Sequence, residues 1–297
     1  MQRGNLFTFG FALAVCIFCS VGLALAASVL KEDQEISARL DVIQNILAVA
    51  GYPQDEIQRM KSQNPRQMID LFQNKFDFLL VNRQNQEISL DSVKKELVEK
   101  LGYKPEELNA RTSFEVLGIF NNKLSLLADR SGQSLEEYDP GYKYMFLYKP
   151  EGTVESYIVP VEGYGLWNMI YGYIALKPDL ATVDDIVFYK HQETPGLGGE
   201  ISQDWFTDQF HNKRILDDKG NFVSVGVSKV KVSDRFADEP EQQSHFVDGI
   251  SGGTITGNQV TDFLKDDLGT YNSYFETIRG QTGEAETPAN ANAEEVQ

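Results

Sequence analysis

KYMFLYKPEGTVESYIVPV, residues 143–161, is the stretch that decides the fold class of this 297-residue chain. Its two halves are rich in β-branched and aromatic residues, and Pro-Glu-Gly between them is a turn signal. The stretch therefore predicts a β-hairpin, and we expect a β-rich domain from about Tyr142 onward. Further predicted elements are strands at YGYIAL (171–176), DIVFYK (185–190) and FVSVGVSKVKV (222–232), and a short helix at QDWFTDQF (203–210).

Upstream of the hairpin the apolar residues recur at helical spacing. They do so between residues 36 and 50, and Gly51 and Pro53 then stop the helix. Residues 54–110 are also predicted to be mostly helical, with no chemical role that the sequence indicates. The fold class is therefore predicted to be α+β, with a mostly helical region over 31–141 before a β-rich domain over 142–279.

The two ends of the chain differ from this folded part. GNLFTFGFALAVCIFCSVGLALAASVL, residues 4–30, has no charged side chain and exceeds the roughly 20 residues that span a bilayer. A cleaved signal peptide ending at Ala-Leu-Ala (24–26) is the alternative, but the apolar run continues past that point. We expect residues 1–30 to form a retained transmembrane anchor. Residues 280–297 contain one large apolar side chain, Val296, and are predicted to be a disordered tail.

Charge and composition exclude several functions. The net charge of −17 argues against nucleic acid as a partner and against docking on an anionic leaflet. Both cysteines, Cys16 and Cys19, lie in the predicted anchor, so the outer domain has no disulfide and no thiol nucleophile. The three histidines are scattered, and we predict neither a metal site nor catalytic side chains. The Walker A and GxSxG motifs are absent from the sequence, as is a GxGxxG motif between a strand and a helix.

Two glycine-rich loops follow predicted strands. They are VEGYGLW (161–167) and HQETPGLGGE (191–200). Because glycine has no Cβ, loops of this density allow the backbone to approach a flat or anionic ligand closely. An ordinary set of tight turns is the alternative reading of the same composition.

A third loop, DGISGGTITG (248–257), places a threonine after paired glycines. Thr254 precedes a predicted helix, so a phosphate on its hydroxyl would lie near free N–H groups and the positive end of the helix dipole. Asp248 is a candidate to place a metal or accept a proton during attachment. From the residues alone, Thr254 is either a phosphate-bearing threonine or a residue that caps a turn.

Taken in order, several stretches resemble one known family. They are the anchor, NILAVAGY (45–52), GYGLW (163–167), FYKHQETPGLGGEI (188–201) and DGISGGTIT (248–256). Together they resemble the C subunit of the Na⁺-translocating NADH:quinone oxidoreductases, whose FMN-binding domain is shared with the G subunit of Rnf-type complexes. The combination in this order is specific, whereas each stretch alone is weak.

The resemblance implies a covalent flavin. In the family, a flavin transferase moves FMN from FAD onto the last threonine of Asp-x-x-Ser/Thr-Gly-Ala-Thr, which leaves a phosphoester. The matching residues are Asp248, Ser251, Gly252 and Thr254, and Gly253 stands where the family has alanine. The small change keeps the loop open, so we expect flavin attachment to survive it.

The resemblance also gives the other loops a role in FMN binding. It implies that two sets of residues line the isoalloxazine ring, namely Gly165, Leu166 and Trp167, and Glu193, Thr194, Gly196, Leu197 and Gly198. A lysine of the last predicted strand, Lys229 or Lys231, would offset the phosphoester charge.

The resemblance implies an electron-transfer protein, anchored in the bacterial inner membrane, that relays electrons toward quinone. Its partners would be the other subunits and a flavin transferase, and the enzymatic activity would belong to the complex. Arg3 before the anchor and KEDQE (31–35) after it predict a cytoplasmic amino terminus and a periplasmic domain. The alternatives are the corresponding subunit of an Rnf-type complex with ferredoxin as donor, a flavin-bearing sensor, and a non-redox membrane-anchored scaffold domain.

Overall fold

The computed structural model describes residues 2–285 of the chain. The helices in this part are α1 (Gln2–Val49), α2 (Gln54–Gln63), α3 (Pro65–Lys75), α4 (Leu90–Leu101), α5 (Pro105–Asn109), α6 (Ser113–Asn122), α7 (Leu124–Ser131), α8 (Leu135–Tyr138), α9 (Asp204–Thr207), α10 (Val232–Arg235), α11 (Pro240–Gln243) and α12 (Thr254–Ala285). The strands are β1 (Phe76–Val81), β2 (Glu87–Ile88), β3 (Lys143–Tyr148), β4 (Ser156–Tyr164), β5 (Met169–Leu176), β6 (Val183–Lys190), β7 (Gly226–Val227) and β8 (Phe246–Val247). The α+β fold class is confirmed.

The predicted hairpin is the centre of the main sheet. Strands β3 and β4 pair antiparallel, with Phe146 opposite Ile158. Strands β5 and β6 extend the sheet on one side, and the full order is β2-β1-β3-β4-β5-β6. Each of these neighbouring pairs is antiparallel.

Strand β1 corrects the prediction for the helical region. FDFLLV pairs with β3 along its whole length, from Phe76 opposite Tyr148 to Val81 opposite Lys143. A short, nearly continuous apolar run does not show whether it is strand or helix, because periodicity alone cannot separate the two. The helical region therefore contributes a strand to the sheet that was predicted to begin near Tyr142.

The sheet is covered on both faces because successive side chains point to opposite sides. In β5, Ile174 and Leu176 lie in a core that includes α12 and the segment around β7. Their neighbours Tyr173 and Ala175 lie in a second core formed with α1, α2 and α3. A third cluster packs α4, α6 and α7 against β1.

Helix α1 joins the predicted anchor to the folded domain without a break. Its segment Phe7–Leu30 has a mean hydropathy of 2.5, and none of it is buried. Further along the same helix, Leu40, Ile43 and Ile46 are buried in the core beneath the sheet. The segment Phe7–Leu30 is long and apolar enough to cross a membrane, consistent with anchoring of the chain.

Two predicted boundaries move in the structure. The run 222–232 forms a strand only at Gly226–Val227; Ser224 before it takes a left-handed φ of 68°, and Val232 after it begins α10. Lys229 and Lys231 therefore do not lie on a strand as predicted. Helix α12 continues to Ala285, which is within the segment predicted as a tail from residue 280. The remainder of that predicted tail, 286–297, lies outside the described residues.

Candidate functional site

All three glycine-rich loops converge at the amino-terminal end of α12. We call them the β4–β5 turn (residues 164–168), the β6 loop (191–200) and the motif loop (248–253). The β4–β5 turn is closed by a hydrogen bond from the Gly165 N–H to the Asn168 carbonyl, 2.8 Å long. The sequence predicted the loops separately, and the structure brings them to one place.

Glu193 of the β6 loop connects these segments. Its side chain is buried, and the residue is 5 % exposed. One carboxylate oxygen, Oε1, accepts the backbone N–H of Trp167 at 3.0 Å, and Oε2 accepts the hydroxyl of Thr256. The carboxylate therefore links the β4–β5 turn, the β6 loop and the first turn of α12.

Two of the predicted glycines leave room for this carboxylate. A Cβ on Gly165 would lie 2.6 Å from Glu193 Oε1. A Cβ on Gly198 would lie 2.6 Å from Glu193 Oε2 and 2.3 Å from Thr256 Oγ1. The close approach that the sequence indicated is thus made to the protein's own groups, and contact of these glycines with a flavin ring stays a prediction.

The motif loop packs against the β6 loop. Gly252 has a φ of 74°, and a Cβ there would lie 2.5 Å from Leu197 Cδ2. Gly253 is buried, and a Cβ on it would lie 3.0 Å from both Cβ and Cγ2 of Ile250. Gly252 is therefore favoured by backbone conformation and by packing, whereas a side chain at position 253 needs Ile250 to give way by a few tenths of an ångström.

Thr254 is exposed and is the first residue of α12. The Gly257 N–H donates to the Gly253 carbonyl at 2.9 Å, so Gly253 precedes the helix as its cap. The first N–H groups of an α-helix have no partner within the helix and attract anions. A phosphate on the Thr254 hydroxyl would lie in this favourable field.

A shallow depression beside Thr254 contains one of the two predicted lysines. Lys229, Gly253, Thr254 and Asn258 are among the residues that line it. Lys231 is not part of this lining and comes immediately before α10. The structure therefore places Lys229, rather than Lys231, beside Thr254.

Asp248 holds the motif loop in place. Its Oδ1 accepts the Val232 N–H at 2.7 Å, and its own N–H donates to Gln209 Oε1 at 2.8 Å. These bonds tie the motif loop to the start of α10 and to the segment that follows α9. Ser251, the remaining motif residue, is exposed at the turn.

Apolar side chains stand exposed around this site. Leu166, Trp167 and Leu197 project from two loops, and Trp167 is 66 % exposed. Trp167 Nε1 donates to the Thr194 hydroxyl at 3.2 Å, which fixes the indole across the two loops. Ile255, 54 % exposed, adds an apolar side chain next to Thr254. An exposed hydroxyl at a helix start, a nearby lysine and these side chains fit the phosphate and planar ring of FMN.

Thr256, Ile250 and Ile255 are site residues that sequence reasoning did not find. Thr256 is buried and lies in the first turn of α12. The sequence signal for Thr256 was its spacing: it follows Thr254 by two residues, so the two threonines face different sides of a helix that begins at Thr254. Because the helix begins at Thr254, one threonine is exposed and the other is buried, whereas the sequence predicted that Thr254 precedes the helix.

The chain matches one domain family and resembles named relatives over most of its length. The model of the FMN-binding domain family matches residues 165–269, which include the β6 loop, the motif loop and all but the first residue of the β4–β5 turn. The C subunit of the Na⁺-translocating NADH-quinone reductase from Pseudomonas aeruginosa is 32% identical over 253 residues, which cover 85% of this chain and 87% of the relative. The corresponding protein from Yersinia pestis is 31% identical, over 83% of this chain and 82% of the relative.

Solved structures share the fold. The crystal structure of the C subunit from Parabacteroides distasonis ATCC 8503 aligns with a TM-score of 0.56 at 23% identity, over 83% of this chain and 96% of that chain. NqrC from Shewanella oneidensis aligns with a TM-score of 0.54 at 23% identity, over 84% of this chain and 99% of that chain.

Proposed function

Since this chain belongs to the NqrC family, the C subunit of the Na⁺-translocating NADH-quinone reductase, and contains its FMN-binding domain, we propose that it carries FMN on Thr254 and relays electrons toward quinone. The observation that carries this proposal is the exposed Thr254 hydroxyl at the start of α12, beside Lys229. The oxidation of NADH belongs to the complex, in which this chain is one link.

Attachment requires that the Thr254 oxygen be accessible to another enzyme. A flavin transferase would join Thr254 Oγ to the flavin phosphorus of FAD, while the bond between that phosphorus and AMP breaks and the hydroxyl proton is lost. The helix start and Lys229 then favour the negative charge of the phosphoester. Asp248 keeps the motif loop in place through its bond to the Val232 N–H.

The bound FMN would supply the redox chemistry, while the protein positions it and sets its surroundings. Leu166, Trp167 and Leu197 offer apolar contact to a planar ring, and Thr194 orients the indole of Trp167.

The membrane anchor explains why a covalent bond is useful. With Phe7–Leu30 as the membrane-spanning segment and the amino terminus in the cytoplasm, the domain lies on the outer side of the inner membrane. A domain there cannot replace lost cofactor from the cytoplasm. A tether keeps the local flavin concentration high because rebinding is intramolecular.

The test is flavin fluorescence in the protein band after denaturing electrophoresis. The full chain is co-expressed with an active flavin transferase as wild type, Thr254→Ala and Thr270→Ala. Thr270 is an exposed threonine of the same helix and serves as the control. We expect fluorescence in wild type and Thr270→Ala and none in Thr254→Ala. The proposal would be refuted if the wild-type band showed no flavin fluorescence while a known substrate of the same transferase did.

A further inference from the structure

We infer that Glu193 is a positioning residue for flavin attachment, because its buried carboxylate holds the β4–β5 turn and the first turn of α12 in the arrangement that presents Thr254. This inference rests on the proposed function. It assigns to Glu193 a role in the geometry of the attachment site rather than in contact with the flavin ring.

The burial of Glu193 is unusual within this protein. Among the side chains that the structure describes, it is the one buried carboxylate. A buried ionised carboxylate is costly unless hydrogen bonds compensate for the lost water. Glu193 receives such bonds from Trp167 and Thr256, which lie 26 and 63 residues away along the chain. Because these two bonds join segments that are distant in sequence, the carboxylate fixes their relative positions.

The contacts of Glu193 lead directly to Thr254. Thr256 follows Thr254 by two residues within the first turn of α12, so the Glu193–Thr256 bond fixes the rotation of that turn. Gly198 fits against both Glu193 and Thr256 without room for a Cβ, and Leu197 next to it covers Gly252. Loss of the carboxylate would loosen the β6 loop and the helix start together.

Attachment is sensitive to such loosening. The step forms a bond from Thr254 Oγ to the flavin phosphorus, breaks the bond to the departing AMP and releases the hydroxyl proton. A transfer of this kind needs the attacking oxygen in line with the phosphorus, and displacement by about 1 Å can reduce a rate about 100-fold. A fixed helix start keeps the oxygen in a defined place.

Four substitutions separate geometry from charge. In Glu193→Gln, the amide oxygen can accept the Trp167 N–H and the amide nitrogen can donate to the Thr256 hydroxyl, since a hydroxyl also accepts. Glu193→Ala removes both bonds. Thr256→Val keeps the side-chain shape and removes one bond, whereas Thr256→Ser retains the hydroxyl.

Glu200 is a matched control in the same loop. Its carboxylate accepts the Gly196 N–H and the Trp205 indole N–H, both at 3.1 Å, and so connects residues within 196–205. Glu200→Ala removes a carboxylate of the β6 loop without removing a bond to α12 or to the β4–β5 turn.

The experiment measures initial rates of flavin attachment to the full-length chain in detergent, with purified transferase and FAD. Thermal unfolding is recorded for every variant, and rates are compared at a temperature at which all are folded. We expect Glu193→Gln, Thr256→Ser and Glu200→Ala to remain within about twofold of wild type, and Glu193→Ala and Thr256→Val to be slower by about tenfold or more.

Equal rates for wild type, Glu193→Ala and Thr256→Val would overturn the inference. A rate for Glu193→Gln as low as that for Glu193→Ala would also overturn it, because charge rather than geometry would then be required. These results differ from failure of the proposed function, in which wild type itself takes no flavin from an active transferase and both conclusions fall.

Discussion

Gly253 is the residue at which this chain departs from the motif that it resembles. The family pattern has alanine, and here a Cβ would lie 3.0 Å from two atoms of Ile250. Such a contact is closer than ordinary packing, so either Ile250 or the motif loop must shift. Glycine at 253 avoids this contact with the β-branched Ile250.

We expect Gly253→Ala to reduce the free energy of unfolding by about 1 kcal/mol or more, because overpacking forces such shifts. The control is Gly269→Ala within α12, where a Cβ would lie 3.4 Å from Phe222 Cε1, an ordinary contact. That variant should be stabilised by up to about 1 kcal/mol through helix propensity. Urea unfolding measures both, and a Gly253→Ala protein as stable as wild type would contradict the steric argument.

The sequence offered Lys229 and Lys231 as alternatives for offsetting the phosphoester charge, but only Lys229 lies beside Thr254 in the structure. Because Lys229 lines the depression beside Thr254, Lys229→Gln should slow flavin attachment about two- to fivefold, as expected for one exposed ion pair. Lys231→Gln should have the wild-type rate. The difference should shrink in high salt, since exposed charges are screened. Equal rates for the two variants at low salt would exclude the role of Lys229.

The residues of the site were predictable to the extent that their chemistry is local. An exposed threonine after two glycines and before a helix could be recognised, and the structure has Thr254 in that place. The role of Thr256 and the burial of Glu193 could not, because they depend on contacts of Glu193 with segments 26 and 63 residues away along the chain. Close approach at Gly165 and Gly198 was expected for a ligand, whereas the groups that they approach in the structure are the side chains of Glu193 and Thr256.

At the scale of secondary-structure elements, α12 is attached to the sheet through Asp267. Its Oδ2 accepts the Glu162 N–H of β4 at 2.7 Å. Burial raises the pKa of this carboxyl from 3.8 to about 6, with smaller contributions from the charges of Glu162 and Asp266. The hydrogen bond to the Glu162 N–H lowers the pKa and offsets part of this rise.

This shift predicts a pH dependence of stability. Because the folded-state pKa lies above the unfolded one, the folded chain binds the proton more tightly. The contribution of Asp267 is fully present below about pH 4 and is lost as the pH rises through about 6. Asp267→Asn keeps an oxygen acceptor and removes the titration. It should be more stable than wild type near pH 7.5, by an amount that shrinks near pH 4.5.

Chemical unfolding at the two pH values measures this difference. Asp262→Asn, at an exposed position of α12 whose charge does not contribute to the Asp267 shift, is the control and should follow wild type at both. Titration of the carboxyls that are not replaced is common to the proteins compared and cancels. An Asp267→Asn protein that parallels wild type across this range would show that Asp267 does not titrate as described.

The predictability of the elements followed the strength of their local signals. The hairpin at 143–161 has both a turn and β-forming strands, and β3 and β4 form as predicted. Strand β1 has no clear alternation, and the turn that follows it at 82–86 contains neither glycine nor proline, so its identity comes from pairing with β2 and β3. The strand predicted over 222–232 is interrupted at Ser224 by a backbone conformation that its valines gave no reason to expect.

At the scale of the whole molecule, α1 serves two environments. Its first part is exposed and apolar over Phe7–Leu30, and its last part is buried beneath the sheet from Leu40 onward. The sequence predicted an anchor and a later helix. Their continuity was not predicted, because the charged run at 31–35 interrupts the apolar pattern between them.

Truncation should separate the two parts. A chain that begins at Ile36 keeps Leu40, Ile43, Ile46 and Leu47, and we expect it to fold without detergent and to accept flavin at Thr254. A chain that begins at Gly51 loses these side chains, each worth about 2–5 kcal/mol when removed from a core, and should not fold. Circular dichroism and thermal unfolding distinguish the two, and a cooperatively folded chain from Gly51 would contradict the role of α1.

Because α1 is unbroken, it also sets the orientation of the folded domain relative to the membrane-spanning segment. An α-helix turns about 100° and rises about 1.5 Å with each residue. The number of residues between Leu30 and Leu40 therefore sets the rotation of the folded domain about the helix axis and its distance from the membrane-spanning segment. One residue more in that interval would swing the Thr254 face about a quarter of the way around the membrane normal. The length of a plain stretch of helix thus decides which neighbour in the membrane the flavin would face.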